Sequence, residues 1–185
     1  MKFWKSPIFW EITAGVLLVL GAVFFKHHHS RYTIPQNGMF PDLPAQSSFW
    51  VTKHPYKTIA DVRRGDVIVF RLQKDGAPIE YIWRVIALPG ERIAIREDAV
   101  TIDNHPLPRT PLPDEGDFHI FEETAGNSIY RIALPPRLTT AGDMPETTVP
   151  PGHVFVLGDN RHHAADSRVM GPVPFEAIVA RVGLR

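Results

Sequence analysis

The sequence predicts a mostly β fold: an antiparallel β-sheet domain with long loops, preceded by one N-terminal transmembrane helix. Three observations predict it. An apolar run lies close to the N-terminus, and short segments rich in β-branched and aromatic residues follow it. Eighteen prolines punctuate the chain, which argues against a helical bundle because proline breaks helix interiors. At 185 residues, 44% hydrophobic and with a formal net charge of zero, the chain has the size for one domain plus an anchor. Its balanced charge gives no electrostatic reason to expect nucleic-acid binding. It contains no cysteine, which excludes disulfides and thiolate metal sites.

The anchor is assigned to residues 1–30 and the β domain to 31–185. Ile12 through Phe25 is apolar or small apart from Thr13, and the run extends back to Pro7 with only Glu11 charged. As a helix rising about 1.5 Å per residue, Pro7 to Phe25 crosses a hydrocarbon core of about 30 Å. Trp4 and Trp10 suit the headgroup level. A cleavable signal peptide fits poorly, since Ala22-Val23-Phe24 places a bulky ring where cleavage needs a small residue. Glu11 argues against a buried soluble helix. Lys2 and Lys5 on one side and Lys26 and Arg31 on the other barely separate the two orientations. His27-His28-His29 reads as a solvated or interfacial helix end, because contiguous histidines diverge on a helix.

The strands follow in order. Phe49–Thr52 and Asp66–Leu72 are rich in strand formers, the second after an Arg64-Gly65 turn. Asp75-Gly76 predicts a hairpin into Ile79–Leu88, since both residues tolerate positive φ. Arg92–Arg96 and Val100–Ile102 are joined tightly at Glu97-Asp98. Leu107–Asp117 and Pro135–Pro151 read as loops, and Phe118–Phe121 with Ile129–Ala133 as a hairpin in an insertion. Val154–Leu157 is a buried-strand run. Phe175–Ile178 predicts one helical turn before a last strand, Val179–Val182.

Four segments, in this order, resemble those of type I signal peptidases. Ile34-Pro35-Gln36-Asn37-Gly38-Met39-Phe40-Pro41-Asp42-Leu43 resembles the nucleophile motif, which reads roughly Pro-Ser-x-Ser-Met-x-Pro-Thr-Leu. Arg64-Gly65-Asp66 with its hydrophobic run resembles the second segment. Tyr81-Ile82-Trp83-Arg84-Val85-Ile86-Ala87-Leu88-Pro89-Gly90-Glu91 resembles Tyr-x-Lys-Arg-x-x-Gly-x-Pro-Gly-Asp. Gly158 through Gly171 closely resembles Gly-Asp-Asn-Arg-x-x-Ser-x-Asp-Ser-Arg-x-x-Gly, the longest and most specific match. A turn at Gly158-Asp159-Asn160 and a structural ion pair of Asp166 with Arg168 are the simplest readings of that segment taken alone.

The resemblance implies a serine nucleophile activated by a neutral, desolvated lysine. At those two positions stand Gly38 and Trp83, neither of which supplies the chemistry. The position of the serine that orients the lysine is Ala164. That of the serine that helps stabilise the oxyanion is Gln36, whose amide is still a donor. By contrast Met39, Phe40, Pro41, Tyr81, Arg84, Asp159, Asn160, Arg161, Asp166, Ser167 and Arg168 remain, and these form the expected binding and structural site. Trp83 is expected to fill the space left by lysine and serine, and Phe40 to lie at the membrane surface.

The expected function is therefore that of a signal peptidase-like pseudoenzyme, without catalytic residues, cofactor or metal. The resemblance implies a single-pass protein of the cytoplasmic (inner) membrane with its β domain on the extracytoplasmic side. It also implies a scaffold or chaperone role in secretion or pilus assembly. Expected partners are the bilayer and secreted preproteins, pilin-like substrates or an active signal peptidase. The alternative is an active serine-type endopeptidase that cleaves signal peptides with relocated residues. Ser30, Thr33, Ser47 and Ser48 offer hydroxyls for it, and His162 or His163 a base. A metal held by His162 and His163 alone would lack further ligands.

Overall fold

Every apolar side chain between Ile8 and Phe25 is exposed along a single helix, α1 (Pro7–His28). The computed structural model describes residues 7–137 and 142–183; Lys2, Trp4 and Lys5 lie outside them. At 22 residues α1 is about 33 Å long, and it is long and apolar enough to cross a membrane. It passes without a linker into β1 (His29–Thr33), a strand that the histidine tract did not announce.

The remaining strands are β2 (Ser48–Lys53), β3 (Val67–Lys74), β4 (Ala77–Ala87), β5 (Arg92–Arg96), β6 (Ala99–Ile102) and β7 (His105–Pro106). They continue with β8 (Arg109–Pro111), β9 (His119–Ala125), β10 (Ser128–Leu134), β11 (Met144–Thr148), β12 (His153–Leu157), β13 (Val173–Pro174) and β14 (Ile178–Val182). Among the described residues one further α-helix, α2 (Ser167–Met170), is a single turn capped by the Asp166 side chain, and the turn expected near Phe175 is a 3-10 helix, Phe175–Ala177. The structure adds β8 and β11 inside the two segments expected to be loops. Both are edge strands, created by their partners β9 and β5. The Asp75-Gly76 turn has φ of 53° and 79°, as the hairpin requires.

Three antiparallel sheets result. The largest has the order β1-β2-β14-β3-β4-β12-β13, and smaller ones have β10-β9-β8 and β11-β5-β6-β7. One core lies inside the large sheet around Val67–Phe70, Trp83, Val85 and Met39. A second joins the smaller sheets to it around Ile86, Ile93, Ile132 and Phe155. Strand β4 pairs with β3 from Ala77 to Arg84, and with β12 from Arg84 onward. Its Ala77–Trp83 edge is open on that side. The segment that follows β1 comes round to this edge, and burial together with the nearby Glu80 carboxylate raises the Tyr32 phenol. The gap between that segment and β4 is a groove.

Candidate functional site

The groove is lined by Ile34, Pro35, Gln36 and Gly38 on one wall and by Ile79–Trp83 on the other, with a volume of about 260 Å³. Lys74 and Ala165 complete its rim. At its inner end the Trp83 indole lies against Gly38. A Cβ on Gly38 would stand 2.5 and 2.6 Å from Cη2 and Cζ3 of the indole. Gly38 has no left-handed φ, so the backbone does not demand a glycine; the indole does. The Trp83 ring lies between Gly38 and Gly158. Ala164 packs on Gly158 from the far side, and a Cβ on Gly158 would stand 3.0 Å from Cζ3 of Trp83. The ring thus closes on both glycines, and the buried indole N–H has no partner among the described residues. Such an orphaned donor costs about 1–3 kcal/mol.

Beneath this apolar floor the polar frame is complete. Arg84, fully buried, grips Asp159 with two hydrogen bonds of 2.8 and 2.6 Å and donates a third to the Gly65 carbonyl at 2.9 Å. Its guanidinium also lies 4.1 Å from the centroid of Tyr130. Burial pushes the Asp159 carboxyl up, and the Arg84 charge opposes this. Asn160 holds the first motif in place: its N–H donates to the Gly38 carbonyl at 3.0 Å and its side chain to the Asn37 carbonyl at 3.2 Å. Asp166 accepts from the Gly158 N–H at 2.9 Å and from Arg168 at 2.7 and 2.8 Å. Ser167 accepts from the Val156 N–H at 3.0 Å. These charge-assisted bonds brace the loop that carries Ala164.

A second buried cluster supports the frame from below. Arg161 pairs with Glu123, which also accepts from Arg109 at 2.8 Å and from the Tyr130 hydroxyl at 2.8 Å. Burial alone would raise the Glu123 carboxyl, but the two guanidiniums hold it down to about 2. Burial and the Glu123 charge push the Tyr130 phenol up. Sequence reasoning found Arg161 but missed Glu123, Arg109 and Tyr130. The only trace they leave is a charged residue inside the β9 pattern.

Met39 is fully buried in the core and Tyr81 stacks on Phe70 at 5.6 Å. Pro41 follows a cis peptide bond and is buried. Phe40 packs on Phe118 at 5.3 Å, and Phe118 meets His163 at 5.7 Å. Gln36 is exposed on the groove wall. Of the residues considered for a relocated site, Thr33 and Ser48 bond each other at 2.8 Å. His162 pairs with Asp98 at 2.7 Å and His163 with Asn160 at 3.1 Å. Ser47 Oγ is buried without a partner among the described residues. No hydroxyl of this group is bonded to either histidine among the described residues, and no cluster of three or more metal-ligating side chains occurs among them.

Fold and site together define a helix-led antiparallel β domain, with a groove closed at its inner end by an indole beside a buried ion-pair frame. Residues 7–185 match the family model described as signal peptidase, peptidase S26. Signal peptidase I of Bacillus caldolyticus is 33% identical over 180 residues, spanning 95% of this chain and 87% of that protein. Signal peptidase I of Rickettsia conorii is 37% identical over 131 residues, spanning 64% of this chain but only 49% of that protein. A crystal structure of a signal peptidase I from Enterococcus faecalis aligns with 64% of this chain and 93% of its own, at 25% identity and a TM-score of 0.39. The chain belongs to the signal peptidase family.

Proposed function

We propose that this chain is a membrane-anchored, catalytically inactive member of the family that holds an extended polypeptide segment in its groove. Residues 1–30 anchor it in the cytoplasmic membrane and residues 31–185 form the β domain on the extracytoplasmic side. The observation that carries the reading is the indole of Trp83 pressed on the bare Cα of Gly38. A nucleophile and its base would occupy that volume, and hydrolysis needs both within hydrogen-bond reach. The open Ala77–Trp83 edge of β4 offers backbone groups to an added strand, and the apolar wall offers pockets to alternate side chains. A scaffold or chaperone role in secretion or pilus assembly follows for such a binder. Its partners would be a preprotein, a pilin-like substrate or an active signal peptidase.

The test is direct. Full-length protein in detergent or nanodiscs is offered a preprotein, beside an active signal peptidase I as control. The reading expects photocrosslinks from position 81 to the preprotein and no cleavage. Specific cleavage that disappears when one of Ser30, Thr33, Ser47, Ser48, His162 or His163 is changed would overturn it.

A further inference from the structure

Successive side chains of a strand point to opposite faces of its sheet. Trp83 closes the groove on one face of β4, and its neighbour Arg84 lines a second pocket. Three elements wall this pocket: the turn at Gly65 that leads into β3, the tip of the β9–β10 hairpin at residues 127–129, and the end of β14 at Arg181. Its volume is about 400 Å³, enough for a small ligand or a chain end. The groove shares no residue with it.

The fold leaves donors over in this pocket. Arg181 approaches Asp66 only to 3.6 Å, beyond hydrogen-bond length, and has no other polar partner among the described residues. A guanidinium carries five N–H groups; Arg84 uses three of them, on Asp159 and the Gly65 carbonyl. Along β10 the N–H groups alternate sides. Those of Arg131 and Ala133 leave the β9 ladder for the Asp42 carboxylate and the Asp159 carbonyl. The Ile129 N–H therefore leaves it too, and it meets no acceptor among the described residues. Asp66 is the one acid in the lining, and its Oδ2 already accepts from the Tyr56 hydroxyl at 2.7 Å and the Arg63 N–H at 3.0 Å. Arg63, Arg84 and Arg181 thus stand against two carboxylates, Asp66 and Asp159. Beside these polar groups the Ile129 side chain is 64% exposed. We infer that this pocket binds a carboxylate with an aliphatic group next to it, the chemistry of a polypeptide C-terminus ending in an apolar residue or of a small N-acyl amino acid. The carboxylate takes the free donors of Arg181, Arg84 and the Ile129 backbone, and the aliphatic group covers the Ile129 side chain.

The probe is a tetrapeptide, Gly-Ala-Ala-Leu, with an N-terminal fluorophore and either a free carboxylate or a C-terminal amide. Its anisotropy is followed as full-length protein in phosphatidylcholine nanodiscs is titrated in. The free acid should bind roughly tenfold more tightly than the amide, as expected for a hydrogen bond to a charged group. Arg181→Met should abolish most of that preference. Arg96→Met, which removes the same charge from β5, should keep it. Ile129→Asn changes an exposed side chain; it should weaken the leucine-ended acid by roughly fivefold and leave a glycine-ended acid unchanged. Competition with N-acetylleucine separates the two sources. Displacement at a concentration similar to the peptide's own assigns the pocket to small acids, and displacement only by longer free-acid peptides assigns it to chain ends; either supports the site. Equal binding of acid and amide, including none of either, would overturn it, and so would a preference that survives Arg181→Met. Equal binding of leucine-ended and glycine-ended acids would overturn its apolar half.

Discussion

Gly38→Ser should cost stability chiefly because of Trp83, with the His163 carbonyl at 3.2 Å a lesser obstacle. A Cβ at 38 would lie 2.5 and 2.6 Å from two ring carbons, about an ångström inside the contact distance of about 3.5–4.0 Å. The indole has little room to retreat, since Gly158, Ala164 and the buried core close around it. Overpacking of this kind costs about 1–3 kcal/mol, or a fall in melting temperature of roughly 2–4 °C for each kcal/mol in a chain of this size. Trp83→Ala alone empties the pocket at about 3–5 kcal/mol. In the double variant Gly38→Ser/Trp83→Ala the clash is gone, so its cost should fall short of the two single costs together by about 1–3 kcal/mol. Denaturant unfolding of the four full-length proteins in one detergent measures the cycle. Additive costs would refute the claim that the indole is what excludes a side chain at 38.

Three further outcomes follow from the same contacts. Gly158→Ala should destabilise more than Gly38→Ser, because its Cβ would meet the Gly38 carbonyl at 2.7 Å as well as Ala164 and Trp83, and backbone yields less than a ring; thermal unfolding checks the order. Arg84→Met strands the buried Asp159 carboxylate and should cost about 3–5 kcal/mol, whereas Arg71→Met, which breaks the exposed pair with Glu80, should cost under about 1 kcal/mol. Glu123 falls from 4.5 to about 2 on folding. Its contribution, on the order of 3 kcal/mol, is complete above pH 4.5 and is lost as pH falls towards 2. Glu123→Gln should flatten that part of the acid-unfolding curve, and an unchanged slope would remove Glu123 as its cause.

The inner strands were legible because their side chains announce them. Val67–Phe70 and Val154–Leu157 are apolar, β-branched or aromatic runs, and the turns at Asp75-Gly76 and Glu97-Asp98 supply the residues that accept positive φ. The edge strands were not. His29–Thr33 is polar and Arg109–Pro111 sits among prolines, so each becomes a strand only when β2 or β9 offers a partner. At the site, the motif residues that form hydrogen bonds were legible as Arg84, Asp159, Asn160, Arg161, Asp166 and Arg168. Glu123 and Tyr130 were not, because nothing local marks a strand glutamate that will be neutralised by two arginines far away in sequence. That Trp83 stands where the resemblance sets a lysine was read from the chain. That its ring would close directly on Gly38 needed the fold.

The measurement that bears most directly on the central claim compares two full-length proteins in one preprotein cleavage assay. One is the natural chain; the other carries Gly38→Ser, Trp83→Lys and Ala164→Ser together, so that nucleophile, base and orienting hydroxyl return at once to the frame held by Arg84 and Asp159. If the catalytic groups have been lost from a groove that persists, the natural chain leaves the preprotein intact and the triple variant cuts it. Cleavage by the natural chain, or a folded triple variant that neither cuts nor crosslinks to the preprotein, would contradict the account.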